Sequence, residues 1–403
     1  MGTPSVTPTI TILGAGIGGL ALAIGLLMRG VSVKIYEAAD SFSAVGAGVG
    51  FGPNALNAIN LIDSRFRKEY ENAATRNEKP EFKHSMFDAL YAEPGFGEKK
   101  GWVRGLIYPP DVVVFGKRAA SIRQVDHKVV VAFEDGDELV TDALIGCDGV
   151  KGITRDAVLG DLSPEEIPPK YCGTYIYRGI IPMEDAKEIL GKHAGDAKWF
   201  MTKGRGLVAY PISKGKEVNL VFFVEDKKPW VRGDTAVSCT REEMEADLSD
   251  FDERLLKLLD WVPLLRWPIW HHPETSTYYT GRVCLLGDAA HASSPHQAAG
   301  AEQALEDAAV LTHLLAMVKE PEQLELAFQV YDSLRRPRAQ KVVTTSQTAG
   351  MIKLWRHPEI GCDMEKIVDD ANCSVHWIWQ HDILADLQKA ELEFHRMLAL
   401  GRE

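Results

Sequence analysis

Three short stretches of this sequence place glycines and acids where both are chemically useful. The first is Gly14-Ala15-Gly16-Ile17-Gly18-Gly19, with Glu37 eighteen residues after the last glycine. Between a strand and a helix this spacing suits a dinucleotide. Gly14 permits the tight turn, Gly16 with Ile17 behind it lets the backbone approach a pyrophosphate, and Gly19 allows close packing of helix on strand. Glu37 can accept hydrogen bonds from a ribose 2′-hydroxyl. The second stretch is Gly287-Asp288, at the end of the apolar run Val283 to Leu286. A loop through Pro295, His296 and Gly300 follows, leading into Ala301. A strand tip bearing an acid, a small-residue loop and a helix N-terminus make either a site for a large polar cofactor or an ordinary connection. The third is Asp148-Gly149, again after a buried run, with Arg155 six residues beyond the glycine. A fourth segment, Ala44 to Asn54, alternates four glycines, Gly48 among them, with small apolar residues. It either lies flat against a ligand or is a flexible loop.

These residues need particular elements behind them. Thr9 to Leu13 and Val31 to Tyr36 read as strands flanking a helix from Leu20 to Arg29. Ile10 to Met28 holds no charge over 19 residues, a membrane-spanning length, but its five glycines and turn-like centre favour a buried strand, turn and helix. Ala55 to Ile62 opens a helix, and Asp63 to Lys100 has no clear periodicity. Val112 to Phe115, Val129 to Phe133, Glu138 to Thr141 and Ala143 to Gly146 read as strands. From Tyr171 an antiparallel sheet is expected, with strands over Tyr171–Arg178, Lys198–Met201, Leu207–Tyr210 and Val218–Val224. Helices Asp185–Leu190 and Glu242–Trp261 pack against it. Ala301–Leu315, Leu324–Leu334, Arg338–Leu354 and Ile383–Leu398 carry apolar residues at helical spacing. The expected class is α/β: a Rossmann-like dinucleotide-binding domain over 1–170, with part of the substrate region near 63–111. An antiparallel substrate domain is inserted over 171–273, the chain returns to the first domain over 274–320, and 321–403 is helical.

The 403 residues carry 45 Lys and Arg against 57 Asp and Glu, a net charge of −12. The one basic cluster is Arg335, Arg336 and Arg338, so neither nucleic acid nor an anionic membrane is expected as a partner. The six cysteines are far apart with no CxxC pair, which fits free thiols in a reducing, cytoplasmic setting and not the usual zinc spacings. No basic region precedes the first apolar run, so no signal peptide is expected.

Taken in order, Gly14-x-Gly16-x-x-Gly19 with Glu37, Asp148-Gly149, and Gly287-Asp288 with its loop resemble the FAD-dependent aromatic hydroxylases, the single-component flavoprotein monooxygenases. Gly287-Asp288-Ala289-Ala290-His291, Pro295-His296, Glu306-Asp307-Ala308, Tyr177-Arg178-Gly179 and Tyr331 through Arg338 look most like the salicylate hydroxylase-like branch. The resemblance implies an FAD-binding fold of the glutathione reductase-like (GR2) type. It places Glu37 on the adenosine ribose, the glycine loop on the pyrophosphate, Asp288 on the ribityl chain, and the Gly300-Ala301 backbone against the flavin. Asp148 and Gly149 would lie along the pyrophosphate side, where NADH or NADPH is also recruited.

The chemistry so implied is hydroxylation of a phenolic, salicylate-like ring through a flavin hydroperoxide, with O₂ and NAD(P)H as co-substrates. His296 is the expected base, or else a structural hydrogen-bonding group of its loop. Tyr210 either orients the substrate or is a core tyrosine. Arg178 either holds a carboxylate or phenolate or makes an internal salt bridge. Three departures stand out. The helix on which many relatives carry an arginine before 112–115 is missing, with Pro109-Pro110 in its place and Arg104 as the candidate substitute. The serine usual three residues after the Asp-Gly glycine is Gly152, and Gly206 stands where some relatives have histidine. Other expectations consistent with the resemblance are a polyketide or alkaloid ring or an alkene as substrate, or a flavin-binding protein without turnover. The chain is expected to be a monomer or homodimer.

Overall fold

A computed structural model describes residues 8–41, 49–74, 88–91, 113–230 and 236–401. The chain opens with β1 (Ile10–Leu13), α1 (Ile17–Met28), β2 (Val33–Tyr36), α2 (Pro53–Ile62) and α3 (Ser64–Ala73). Strands β3 (Asp88–Tyr91) and β4 (Val113–Val114) precede β5 (Ala119–Val125), β6 (Lys128–Phe133), β7 (Glu138–Thr141) and β8 (Ala143–Gly146). After α4 (Thr154–Leu159) come β9 (Lys170–Pro182), α5 (Met183–Leu190), β10 (Lys198–Thr202), β11 (Arg205–Ile212), β12 (Glu217–Glu225) and β13 (Val237–Ser238). Helices α6 (Arg241–Asp247) and α7 (Glu253–Lys257) lead to β14 (Leu265–His271), β15 (Tyr279–Thr280) and β16 (Val283–Leu285). The rest is helical: α8 (Asp288–His291), α9 (Gly300–Met317), α10 (Leu324–Lys353), α11 (Met364–Cys373), α12 (His376–Trp379) and α13 (Ile383–Leu400).

Strands β1, β8 and β16 are short, apolar and buried along their whole length, the pattern of parallel strands covered on both faces. They lie side by side in a six-stranded sheet of order β15-β16-β8-β1-β2-β4, parallel except for β15. A seven-stranded sheet of order β13-β14-β9-β12-β11-β10-β3 forms the second layer, antiparallel except where β3 joins β10. Strands β5, β6 and β7 make a separate three-stranded sheet. The fold is thus a Rossmann-like layer with an inserted antiparallel sheet and a helical C-terminal region. The charge-free run from Ile10 to Met28 is β1, a turn and α1, and no helix among the described residues is long and apolar enough to cross a membrane.

Four expectations need correction. The helix expected over Glu242–Trp261 is broken into α6, α7 and a 3₁₀ turn, because Asp252 caps a new start by accepting from the Arg254 N–H. The two helices expected around Pro337 are one, α10, which runs through the proline. Arg335 and Arg338, on either side of it, are anchored to α9 and hold the helix through the lost hydrogen bond. The segment after Asp63 holds α3, capped by the Asp63 side chain, and β3, which extends the second sheet. Strand β5 was missed because its residues alternate only weakly. The absent-helix region around Pro109-Pro110 lies outside the described residues.

Helix α9 is buried all round, with Glu302, Gln303, Glu306 and Asp307 at 0% exposure among its apolar residues. Arg335, also 0% exposed, donates to Glu306 at 2.6 Å and Asp307 at 2.8 Å, and Arg338 donates to Glu306 at 2.7 Å. Arg335 and Arg338 of the cluster therefore form an internal ion network, and Arg336 is paired with Asp332 at 2.9 Å, so the three do not make a basic surface. Burial opposes ionisation of both acids, but Arg335 and Arg338 outweigh it at Glu306, and His291 with Arg335 outweighs it at Asp307, holding both well below the usual carboxylate range. Replacing Arg335 by Met leaves two buried carboxylates short of a partner and should lower stability by about 3–5 kcal/mol. A fall in the urea midpoint reads this out, and an unchanged midpoint would refute it.

Candidate active site

The three glycine-acid motifs converge because their strands are neighbours. Leu13, Gly146 and Leu285 are aligned across β1, β8 and β16, so the turns that follow them sit together at the C-terminal edge of the sheet. Gly14 takes φ +97°, and a Cβ there would strike the Cys147 carbonyl. Gly19 packs so tightly that a Cβ would meet the Gly14 carbonyl. Gly16, the N-cap of α1, is different: nothing lies within 4 Å of where its Cβ would be. Gly149, at φ +80°, opens on the same kind of free space. A helix N-terminus with open backbone on the strand edge fits a pyrophosphate. Glu37 accepts from the Ala15 N–H at 2.7 Å and the Ala39 N–H at 2.9 Å, so it also fixes the glycine loop itself.

Asp148 is held by the Thr154 backbone N–H at 3.0 Å and by the Thr154 hydroxyl. Burial raises its pKa and those hydrogen bonds oppose the rise. Gly152 explains the missing serine, since a side chain there would enter the space of the Asp148 carboxylate. Thr154 supplies the hydroxyl instead. Asp288 opens α8 after Gly287 at φ +65°. Its side chain is exposed, yet protein crowds it on the remaining sides and raises its pKa. Gly300 is adjacent: its Cβ would stand 3.9 Å from Asp288 Oδ1. With Ala301 it forms the first turn of α9, so this edge presents an acid and a helix N-terminus together. Gly48 and Arg104, also expected at the cofactor, lie outside the described residues.

Pro295, His296 and Gln297 form a 3₁₀ turn between the two layers. The His296 ring is buried, 5.2 Å from the Phe223 ring and 6.2 Å from that of Trp199, and its Nδ1 has no partner. Burial, then the charges of Lys353 and Arg356, lower its pKa to about 3, so the imidazole is neutral near pH 7. Register places Arg178 and Tyr210 on the same sheet face. Arg178 pairs with Val221 and Tyr210 with Asn219, and both alternate in step with Phe223, which meets His296. The Arg178 guanidinium lies 5.7 Å over the Trp267 ring. Burial raises the Tyr210 phenol to about 12, with Arg178 and Asn219 opposing.

Several residues that shape this site were not singled out as site residues from sequence. Ser346, Gly350 and Lys353 recur along one face of α10 and clamp the His296 turn. Ser346 Oγ donates to the Ser294 carbonyl at 2.6 Å, a Cβ at Gly350 would strike the imidazole, and Lys353 donates to the His296 carbonyl at 2.5 Å. Ser346, Gly350 and Lys353 at helical spacing on the buried side of α10 were the available signal. Arg155, seen only as part of a motif, is 2% exposed and donates to the carbonyls of Glu166, Glu274, Ala289 and Ala290. It braces the Asp288 turn from behind. At Gly206 a side chain would crowd the Trp199 indole at 3.1 Å, which explains the absent histidine.

A family model described as an FAD binding domain matches residues 112–346. An FAD-dependent monooxygenase of Gibberella moniliformis is 37% identical, over 94% of this chain and 95% of its own. A salicylate hydroxylase of Pseudomonas putida is 34% identical, over 97% of each chain. Among solved structures, a salicylate hydroxylase substrate complex aligns with TM-score 0.82 and 28% identity, covering 96% of this chain and 98% of that one. The open backbone at Gly16 and Gly149 leaves space that fits the cofactor these similarities imply, and the chain is an FAD-dependent monooxygenase. It belongs to the FAD-dependent aromatic hydroxylases, in their salicylate hydroxylase-like branch.

Proposed function

We propose that this enzyme hydroxylates a phenol or phenolic acid resembling salicylate, with NADH or NADPH as reductant. The observation that carries this reading is the shared sheet face of Arg178 and Tyr210, which meets the His296 turn beside Asp288 and Gly300. A ring bound there would lie between an arginine able to hold a carboxylate and the edge assigned to the flavin. Bound FAD, once reduced, supplies activated oxygen, one atom for the ring and one for water. The chain's own residues bind and orient. Asp288 would hydrogen-bond the ribityl chain and Glu37 the ribose, and the open backbones of Gly16 and Gly149 would take the pyrophosphate. Arg178 takes the substrate's anionic group by a paired hydrogen bond, and Tyr210, a neutral phenol, directs it. His296 is a neutral imidazole too weakly basic to keep a proton near pH 7. Its part is to accept a hydrogen bond from the phenol and polarise it.

The deciding experiment mixes the protein with FAD, NADH or NADPH and a panel of phenolic acids, following reduced nicotinamide and analysing products. Hydroxylated product from at least one phenolic acid is expected. FAD-loaded protein that no ring compound stimulates would overturn the proposal. Arg178→Met should raise KM for salicylate on the order of ten- to a hundredfold, with a far smaller change for a phenol lacking the carboxylate. Equal effects on both would remove Arg178 from substrate recognition. His296 also has a consequence for acid stability. Its folded pKa, about 3, lies below the ordinary histidine value of 6.5, so on acidification the unfolded chain takes up a proton first. Stability present above the unfolded value is lost as pH falls toward 3. His296→Gln should make the acid loss of thermal stability shallower, and a curve parallel to the parent would contradict the buried neutral ring.

A further inference from the structure

Helix α9 carries three fully buried carboxyl groups in its first turns, Glu302, Glu306 and Asp307, and two guanidinium groups reach them. Arg335 commits its donors to Asp307, Glu306 and Gln303. Arg338 commits its donors to Glu306 and to the carbonyls of Trp377 and Ile378. Glu302 receives no hydrogen bond from either. Its Oε1 accepts from the Gly52 N–H at 2.5 Å, and its Oε2, equally buried, has no partner. Beside it on α2, Asn54 donates Nδ2 to Glu306 at 2.7 Å, while its Oδ1 lacks a donor. Among the described residues, the polar and charged groups that act on Glu302 are Gly52 and Asn54 from α2 and its cap, Glu306 from α9 and Arg338 from α10, and the Trp379 indole of α12 lies against Gly52.

An ionised carboxylate with one oxygen buried and unsolvated costs far more than a neutral acid in the same place. A proton on Glu302 also gives the cluster the donor that its unpartnered acceptors lack. We infer that Glu302 is held as a neutral carboxylic acid and acts as a positioning residue, locking the Gly52 entrance of α2 to the first turn of α9, which opens at Gly300 beside Asp288. That this edge holds the flavin rests on the function proposed above. Burial raises the Glu302 pKa to about 8, with Glu306 adding to the rise and Gly52, Asn54 and Arg338 opposing it. Gly52 has no room for a side chain, because a Cβ there would strike both the Trp379 ring and Glu302. The acid therefore sits where α9, the start of α2 and α12 come together.

Infrared difference spectra of the full chain between about pH 6 and about pH 9 test the protonation. A carboxylic-acid C=O band should disappear on alkalinisation in the wild type and be missing from Glu302→Gln. Thermal melts supply the sign. The folded state keeps a proton that the unfolded chain releases above the ordinary glutamate value of 4.5, so the wild type loses stability as pH rises from there to about 8. The Tm difference should therefore widen in favour of Glu302→Gln across that window and then level. In the flavin arm, the wild type should bind FAD about tenfold more weakly at about pH 9 than at about pH 7, whereas Glu302→Gln shows no such change. Glu302→Met, which gives Gly52 no comparable acceptor, should bind FAD about tenfold more weakly than Glu302→Gln and serves the infrared comparison if the glutamine variant does not fold. A missing band with a pH-independent Tm difference overturns the neutral acid. FAD binding equal in all three proteins at every pH overturns the positioning role. The infrared and melting arms need neither flavin nor turnover, so they separate a failure here from a failure of the hydroxylase reading.

Discussion

Arg335, sealed from solvent between Glu306 and Asp307, is the interaction on which the rest of the molecule depends. Burying three charges is expensive, and an apolar trio of the same volume would often be as stable. What the ions add here is direction. Asp307 also accepts from the Gly287 N–H at 3.2 Å and binds the His291 ring at 2.6 Å, so the turn presenting Asp288 is fixed from behind. Glu306 draws in Asn54 and Arg338, tying α2 and the α12 segment to the same point. Tyr331, one turn before Arg335, donates to the Leu285 carbonyl at 3.1 Å and closes the loop back to β16. A single buried cluster thus sets the relation of four elements that meet at the cofactor edge.

The second layer is arranged around a different contrast. One face of the seven-stranded sheet packs against α5, α6 and α7 through Tyr177, Leu220 and Phe222. The other bears Trp199, Phe223, Tyr210 and Arg178, mixed in polarity and turned toward the His296 turn and α10. Alternation along each strand enforces this division. Behind the sheet, Asp247 takes hydrogen bonds from Tyr175, Tyr177 and Arg266, so that side is polar but closed and structural. The front face carries the Arg178 guanidinium on the same side as Phe223, which meets the His296 turn.

How much of this could be read from letters depends on how local the cause is. The turn at Gly14, the helix it opens and the acid at Glu37 follow from spacing alone, since backbone sterics and hydrogen bonding over some thirty residues decide them. The front-face placement of Arg178 and Tyr210 needs strand register, which no single strand contains. The breaks misjudged in sequence have tertiary causes. Asp252 restarts a helix where apolar periodicity ran on, and α10 passes Pro337 because arginines on both sides are held by α9. Gly152 looked like a loosened motif, but Asp148 turns toward Thr154 and leaves no room for a side chain. Glu306 and Arg335 were both visible in family-like runs, yet their pairing across 29 residues was not.

The strand order of the first sheet also governs how the chain is made. Strand β16 lies against β8, and β8 against β1, so the edge carrying Gly14, Asp148 and Asp288 joins residues from three distant parts of the chain. During synthesis the nucleotide-binding motif near the N-terminus emerges early but has no finished sheet to join. Its third strand arrives only after the whole antiparallel insertion has been made. Long-range parallel pairing of this kind is slow and leaves apolar edges waiting. The cofactor cradle is therefore a late product of folding, and an N-terminal fragment ending before Val283 would carry the signature glycines without the site they serve.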